Sequence, residues 1–224
     1  MQIGIIAEGA SELRILKHII GRYLGTEHDI NEIQPKTDVG GVQIIPGGWD
    51  RVIKTFESLD LVKNALIEND YILIQIDTDY AQTHPFSVNI MDDNGQCCSE
   101  KILHDRITDR ILNNIPNLSK EEQDRILLAI CNNEIECWLL PIYYNDKHRC
   151  KTSNCIQLLN NKLVQNKIRP ITDKNCTKAR MTYNAVLQNL RKSKDIENVS
   201  QYSFGFQFLV NQLKKIKDIS TPLY

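Results

Sequence analysis

The stretch that most constrains this chain is Tyr71–Tyr80, in which the apolar run YILIQI ends in two acidic residues one position apart. Four of the six residues before Asp77 are Ile or Leu, a pattern typical of a buried strand in a parallel sheet. Because side chains alternate along a strand, Asp77 and Asp79 point to the same side if the extended geometry continues. They follow the carboxyl end of the strand, where open α/β sheets place their ligands. The pair predicts either a divalent metal held between repelling carboxylates or a solvated turn after a core strand.

The composition suits a protein in a reducing aqueous compartment. The chain has 224 residues, 42% of them hydrophobic, enough for one sizeable domain or for a domain with an appended lobe. No apolar run approaches the length that spans a bilayer, and the first residues, MQIGIIAEG, lack the features of a signal peptide. Seven cysteines are an odd number, which favours free thiols over a disulfide framework. We therefore expect a cytoplasmic protein with no membrane partner.

The charged residues are divided unevenly between the two parts of the chain. Residues 1–146 carry 12 Lys and Arg against 24 Asp and Glu, whereas residues 147–224 carry 15 against 4. The division predicts an acidic part that holds metal and a basic part that meets an anionic polymer such as nucleic acid. The alternative is that the basic part consists of ordinary Lys-rich helix faces in solvent.

Apolar runs and helical periodicity alternate along the first part of the chain, which predicts an α/β fold with a mostly parallel sheet flanked by helices. Ser11 is the expected cap of the first helix, and Ser119 with Glu122 has the spacing of a capping box. Residues 26–41 and 81–99 are polar and are expected to be loops. The predicted strands are 2–7, 42–45, 71–76 and 126–130, and the predicted helices are 11–24, 49–69 and 100–113, followed by a short helix after Ser119.

The composition changes near residue 146. Helical periodicity over 152–165, 177–192 and 204–217 predicts a helical C-terminal lobe that packs on the sheet. We therefore divide the chain into a metal-binding α/β domain, 1–145, and a basic α-helical lobe, 146–224.

Acidic residues follow three of the predicted strands. Glu8 ends the first strand, Asp77 and Asp79 end the third, and Glu134 and Glu136 follow the fourth. Parallel strands bring their carboxyl ends to one edge, so these side chains are expected to converge there. Several carboxylates together can hold one or two Mg2+ or Mn2+ ions, an arrangement that cleaves phosphodiesters by activating a water and stabilising the leaving oxygen.

The same residues resemble the Toprim domain, which occurs in topoisomerases, primases, overcoming-lysogenization-defect nucleases and small bacterial defence proteins. Within that group the chain is similar to small stand-alone Toprim-like proteins, including RloB-like ones, often found beside an ATPase of the ABC/SMC type. The resemblance covers roughly residues 1–145. The motifs that carry it are Glu8-Gly9-x-Ser11-Glu12, Gly47-Gly48-Trp49, Asp77-x-Asp79 and Glu136-x-Trp138-Leu139-Leu140.

The resemblance implies a metal-dependent endonuclease in which Glu8, Asp77 and Asp79 hold Mg2+ or Mn2+ and Glu136 assists. It further implies a role in antiviral defence under the control of an ATPase partner, because no Gly-x-x-x-x-Gly-Lys-Ser/Thr motif is present in the chain itself. Glu12 is either a further metal ligand or a first-turn acid favoured by the helix dipole. Lys178 is either a catalytic cation that stabilises phosphoryl charge or a solvated residue at a helix start. Homo-oligomerisation is left open.

Other chemistries fit the sequence less well. A catalytically silent Toprim-like module that binds nucleic acid or a partner is the main alternative. An aspartyl-phosphate site at Asp77 lacks a Lys on a suitable strand, and a dinucleotide site lacks Gly-x-Gly-x-x-Gly after the first strand. The spacing of His148, Cys150, Cys155 and Cys176 matches no standard zinc pattern.

Overall fold

The computed structural model describes residues 1–25, 28–39, 43–115, 117–174 and 177–220, apart from the side chains of residues 177, 178 and 220. A parallel sheet with strand order β2-β1-β5-β6 lies at its centre, and an antiparallel two-stranded ribbon, β3-β4, lies outside it. This arrangement confirms the predicted α/β fold class, with a parallel sheet flanked by helices. The strands are β1 (Gln2–Ile6), β2 (Asp29–Gln34), β3 (Lys36–Thr37), β4 (Gln43–Ile45), β5 (Tyr71–Asp77) and β6 (Ile126–Cys131).

Helices cover both faces of the sheet. None of those described combines the length and apolar character needed to cross a membrane. Two 3-10 helices, 135–142 and 147–150, follow β6. The α-helices are α1 (Ala10–Leu24), α2 (Trp49–Phe56), α3 (Leu59–Glu68), α4 (Glu100–Asn113), α5 (Lys120–Asp124), α6 (Cys155–Gln165), α7 (Thr177–Leu187), α8 (Ser193–Ser200) and α9 (Phe204–Ser220).

The sheet separates two hydrophobic clusters because successive side chains of its strands point to opposite faces. Along β5, Leu73 belongs to one cluster while Ile72 and Ile74 belong to the other. The first cluster is formed with α1 and α6–α9, and we call this face the α1 side. The second is formed with α2, α3 and α4, and we call it the α2 side. The C-terminal helices therefore share one continuous core with β1, β5 and β6.

The main errors of the sequence prediction concern the edge of the sheet. The second strand of the main sheet is β2, which lies inside the segment 26–41 that was expected to be loop. Its sequence, DINEIQ, is polar because an edge strand pairs on one side only and most of its residues are half-buried. The run predicted at 42–45 pairs instead with β3 in the separate ribbon, and Val42 is outside the described residues.

Two helix predictions also need correction. The helix expected over 49–69 is divided into α2 and α3, and the side chain of Ser58 accepts a hydrogen bond from the Leu61 amide (3.4 Å) at the start of α3. Ser11 is not a cap, since α1 begins after Gly9 and the Ser11 hydroxyl donates to Glu12. The predicted α4 and the capping box of Ser119 and Glu122 are both confirmed. In the C-terminal region, α8 was not predicted.

The last helix meets the other edge strand, β6, at close range. A Cβ atom at Gly205 would lie 2.0 Å from the carbonyl oxygen of Ile130, so only glycine permits this approach. Two turns further on, the Gln212 side-chain amide accepts from Leu128 N (3.0 Å) and donates to Leu128 O (2.9 Å). The amide thus satisfies both backbone groups of one β6 residue that, within the described part of the chain, no strand pairs on that side.

Candidate active site

Carboxylates from three segments meet in a cleft of about 370 Å3 at the carboxyl end of β1 and β5. Glu8 follows β1, Glu12 lies in the first turn of α1, and Asp77 and Asp79 end or follow β5. Within the described part of the chain, Lys174 is the basic residue that lines the cleft. The lining residues are Glu8, Gly9, Ser11, Glu12, Gln43, Pro46, Gly47, Gly48, Asp77, Asp79 and Lys174.

A fully buried amide on β5 aligns the two strand ends. Gln75 Oε1 accepts from the backbone amide of Glu8 (3.0 Å), and Gln75 Nε2 donates to Asp77 Oδ1 (2.8 Å). The backbone amide of Asp77 in turn donates to Glu8 Oε1 (2.6 Å). These three bonds join the carboxylates of Glu8 and Asp77 to neighbouring strands, so their positions are fixed by the sheet. We did not single out Gln75 from the sequence, although an amide inside an apolar run was the available signal.

The loop between β4 and α2 is held against Glu8 by two glycines. The Gly48 amide donates to the carbonyl oxygen of Glu8 (2.6 Å), and Gly48 has a φ of 123° that side chains rarely allow. A Cβ at Gly47 would lie 2.1 Å from the same carbonyl oxygen. The Gly-Gly-Trp motif therefore permits a close backbone approach that closes one wall of the cleft.

Burial raises the pKa values of the acidic side chains in the cleft. The pKa of Glu8 rises to about 8, first because of burial and then because of the charges of Glu12 and Asp79. Burial, followed by like charges, also raises the pKa values of Glu12 and Asp77, and burial raises that of Asp79. Carboxylates crowded in this way favour a cation among them.

Lys174 supplies one positive charge. Its Nζ donates to Glu136 Oε2 (2.9 Å) and lies 3.8 Å from Glu12 Oε1 and 3.7 Å from Glu134 Oε2. Burial alone would lower the pKa of Lys174, but the charges of Glu136 and Glu12 outweigh it and the pKa is raised. Lys174 was not predicted from the sequence, because it lies in a linker without helical or strand periodicity.

Glu136 lies in the interior, on the far side of this ammonium group. Its side chain is fully buried, does not line the cleft, and accepts hydrogen bonds from Lys174 and from the hydroxyl of Tyr183. Both carboxylate oxygens of Glu136 are therefore used within the protein. Trp138, two residues on, stacks on Phe206 with ring centroids 4.7 Å apart, which makes it a packing residue of the α1 side.

The donor chemistry of the cleft fits a hard divalent cation. Glu8, Glu12, Asp77 and Asp79 offer carboxylate oxygens, the ligands that Mg2+ and Mn2+ prefer. Their oxygens do not yet form a tight triad. Among the described residues, ligand atoms of three side chains lie within 4.8 Å of one another only at Glu134, Cys137 and Cys155.

That second cluster contains a disulfide. Cys137 and Cys155 are bonded, with Cα atoms 5.0 Å apart, contrary to the expectation of free thiols throughout. The bond ties the 3-10 helix that carries Glu136 to α6. The sulfur of Cys155 is thus not part of a zinc site with His148 and Cys150, and Cys176 lies outside the described residues.

Two residues outside this set are the predicted Lys178 and a buried histidine, His104. The backbone of Lys178 is in the first turn of α7, but its side chain is outside the described residues, so its predicted catalytic role stays a prediction. His104 is only 3% exposed, contacts the rings of Phe204 and Phe208, and its Nε2 has no hydrogen-bond partner within the described structure. Burial lowers the pKa of His104 to about 4, which is typical of a core histidine and not of a general base.

A comparison of the chain with protein-family models, with curated proteins and with solved structures gives no match.

Proposed function

We propose that this chain is a divalent-metal-dependent nuclease of the Toprim type that hydrolyses phosphodiester bonds in DNA or RNA. One observation carries the proposal. Glu8, Glu12, Asp77 and Asp79, which come from three segments of the sequence, line a single cleft at the carboxyl end of two parallel strands. Burying several carboxylates together is unfavourable unless a cation offsets their charge, and a site for a divalent ion would explain why they lie together here.

In this proposal the four cleft carboxylates would hold Mg2+ or Mn2+. Bound there, such an ion supplies Lewis-acid activation of water and neutralises charge on a phosphodiester. Glu8 and Asp77 have raised pKa values, so they would release protons when an ion binds. Gln75 orients Asp77 through the hydrogen bond to Oδ1. Lys174 donates to the buried Glu136, lies 3.8 Å from Glu12 Oε1, and adds a positive charge beside the phosphate position.

The biological setting follows from the resemblance to small stand-alone Toprim-like proteins. We propose a cytoplasmic phage-defence effector whose activity is controlled by an ABC/SMC-type ATPase partner. The basic composition of residues 147–224 supports contact with a nucleic acid.

A catalytically silent Toprim-like binding module is the second candidate, and one observation favours it. Lys174 already contributes a cation to the acid cluster and lies 2.9 Å from Glu136. In a silent module, this buried ion-pair network would stabilise the fold and the cleft would bind a partner without chemistry.

Cleavage of mixed DNA and RNA by the purified protein tests the proposal. We expect cutting with Mn2+, none with EDTA, and none with Asp77→Asn, whereas Asp124→Asn, a change in an exposed pair with Lys120, should retain full activity. Binding of Mn2+ should be followed in parallel by calorimetry in two buffers, since it is expected to release protons.

The outcomes separate the two candidates. Manganese binding that Asp77→Asn abolishes, together with cleavage by the protein alone or with an ABC/SMC-type ATPase added, supports the nuclease. Normal folding without manganese binding, and without cleavage under either condition, supports the silent module.

A further inference from the structure

A pair of aromatic rings lies at the rim of the acidic cleft. The rings of Trp49 and Tyr80 are nearly parallel, 3° apart in plane, with centroids 5.9 Å apart. Tyr80 is 51% exposed, and Trp49 is half-buried against the α2 side. Each ring directly follows a residue that lines the cleft, Gly48 in one case and Asp79 in the other. Exposed aromatic rings beside a phosphate-handling site are typical of platforms on which unpaired bases stack.

A basic groove begins on the other side of the cleft. Two adjoining cavities, of about 290 and 400 Å3, share Arg14, Lys17, Glu32 and Thr37 among their lining residues. Arg180, on α7, lines the larger of the two. We call these two cavities together the basic groove.

The two arginines of the basic groove, Arg14 and Arg180, offer positive charge to an anionic ligand. Arg14 and Arg180 both line the larger cavity, and burial followed by the nearby charge of Arg180 lowers the pKa of Arg14. Within the described part of the chain, neither forms a salt bridge, and Arg14 donates to Asn184 (3.3 Å). The carboxylate of Glu32, by contrast, is engaged by Lys17 at 2.6 Å and by Thr37. A phosphate diester between Arg14 and Arg180 would relieve their repulsion.

The cleft lies between these two features. Thr37 and Gln43 pair across the β3-β4 ribbon, and Thr37 lines the basic groove while Gln43 lines the cleft. On α1, Glu12 lines the cleft and Arg14 lines the groove. The groove is built on the α1 side, whereas the aromatic pair packs on the α2 side. A chain that crosses the carboxyl edge of the sheet therefore meets rings, carboxylates and guanidinium groups in that order.

We propose that this edge binds single-stranded nucleic acid, with an unpaired base stacked on the Trp49–Tyr80 pair and backbone phosphates between Arg14 and Arg180. The inference deepens the proposed function, on which it rests for the position of the scissile phosphate. A duplex could place its phosphates in the basic groove, but its bases are already stacked on one another and could not stack on the two rings. A single strand offers both its base faces and its phosphates.

Fluorescence anisotropy in EDTA tests the inference without any cleavage. The probes are dye-labelled oligonucleotides of about 12 nucleotides, a length within the usual site size, in four forms: single-stranded RNA, single-stranded DNA, duplex DNA and an abasic strand with the same backbone. We expect at least one single strand to bind tighter than the duplex, and to bind about 5- to 150-fold tighter than the abasic strand, the range that stacking of one base gives. The two single-stranded probes separate RNA from DNA as the preferred ligand.

Paired variants assign the effect to the residues named. Trp49→Ala/Tyr80→Ala should remove the preference for bases over the abasic strand, whereas Tyr202→Ala, which removes a half-buried ring packed on Arg149, should not. Arg14→Gln/Arg180→Gln should lower the slope of log affinity against log salt by about 1.4, or about 0.7 per phosphate contact. Lys214→Gln/Lys215→Gln removes the same charge from an exposed face of α9 and should leave the slope nearly unchanged.

Equal or tighter binding of the duplex, or equal binding of the abasic strand by the unaltered protein, would overturn the inference even if no variant folds. Binding that survives both double variants would also overturn it. A protein that binds single strands in this way but does not cleave them with Mn2+, either alone or with an ATPase partner, refutes the proposed nuclease activity and leaves the binding surface intact. A protein that cleaves duplex and single strand alike refutes the surface alone.

Discussion

Replacing Lys174 with methionine tests whether the buried carboxylates depend on its charge. Methionine keeps most of the volume of the side chain but removes the ammonium group 2.9 Å from Glu136 Oε2. Glu136 has no exposure to water, so its charge would lose a partner that solvent does not replace. Glu12, 5% exposed and 3.8 Å from the same nitrogen, would lose part of its compensation as well.

The size of the effect follows from what remains around Glu136. Removing one partner of a buried pair typically costs about 3–5 kcal/mol. Here the Lys174 side chain is 28% exposed and the hydroxyl of Tyr183 still donates to Glu136, so we expect a loss at or just below the lower limit of that range, about 2–3 kcal/mol. For a chain of this size that corresponds to a melting temperature lower by roughly 4–12 °C.

Urea unfolding at pH 7 in EDTA measures this change in the free energy of unfolding. Lys54→Met is the matched control, because Lys54 and Asp50 form an exposed pair (73% and 51% exposed) worth less than about 1 kcal/mol. Adding Glu136→Gln to Lys174→Met should recover about 1–2 kcal/mol, since the neutral amide still accepts from Tyr183 and no longer needs a cation. If Lys174→Met costs no more than Lys54→Met, or if Glu136→Gln recovers nothing, the carboxylate of Glu136 is not held as a charged group by Lys174 and the reasoning fails.

Three further predictions concern the cleft and the core. Asp77→Asn should raise the free energy of unfolding in EDTA by about 1 kcal/mol, because it removes a buried carboxyl that repels Glu8. It should also abolish the rise in melting temperature that Mn2+ gives. A calorimetric scan that shows no change in either property contradicts this prediction. Between its ordinary pKa of about 6.5 and its folded value of about 4, His104 binds more protons when unfolded, so the free energy of unfolding decreases as the pH is lowered through that window. His104→Leu should therefore make the loss of unfolding free energy between pH 7 and pH 4.5 smaller by about 2 kcal/mol, as measured by urea unfolding at the two pH values. If that loss is unchanged in the variant, His104 titrates normally. Gly47→Ala should weaken Mn2+ binding because its Cβ displaces the Glu8 carbonyl, whereas Gly21→Ala, where nothing lies within 4 Å, should leave binding unchanged and stabilise α1 by about 1 kcal/mol.

The buried strands of the fold were predictable because their sequences are continuous apolar runs. β1, β5 and β6 are adjacent in the sheet and buried on both faces, and each shows such a run. β2 was missed because its pairing with β1 is made by backbone groups, which any sequence provides, while its half-exposed side chains are polar. Local capping was predictable where the donors are close in sequence, as at Ser119, and failed at Ser11, whose hydroxyl bonds a carboxylate instead.

For the site, strand ends were predictable and long-range partners were not. Glu8, Asp77 and Asp79 could be named because each ends an apolar run, and the structure places all three in one cleft. Lys174 could not be named, since its contact with Glu136 spans 38 positions of sequence and depends on the path of a linker. Gln75 could be assigned to a strand from the sequence, but its hydrogen-bond partner could not. That partner is the Glu8 amide, and identifying it requires knowing that β1 pairs with β5.

The contact between α9 and β6 has a consequence for how this protein behaves in concentrated solution. An edge strand presents free amides and carbonyls that can recruit a strand from another molecule. At Leu128 the two groups are occupied by the carboxamide of Gln212, which imitates the donor and acceptor of a neighbouring peptide. Growth of the sheet by intermolecular strand addition is therefore blocked at the middle of β6 once α9 has docked. Strand addition at this position would therefore require α9 to leave β6 first.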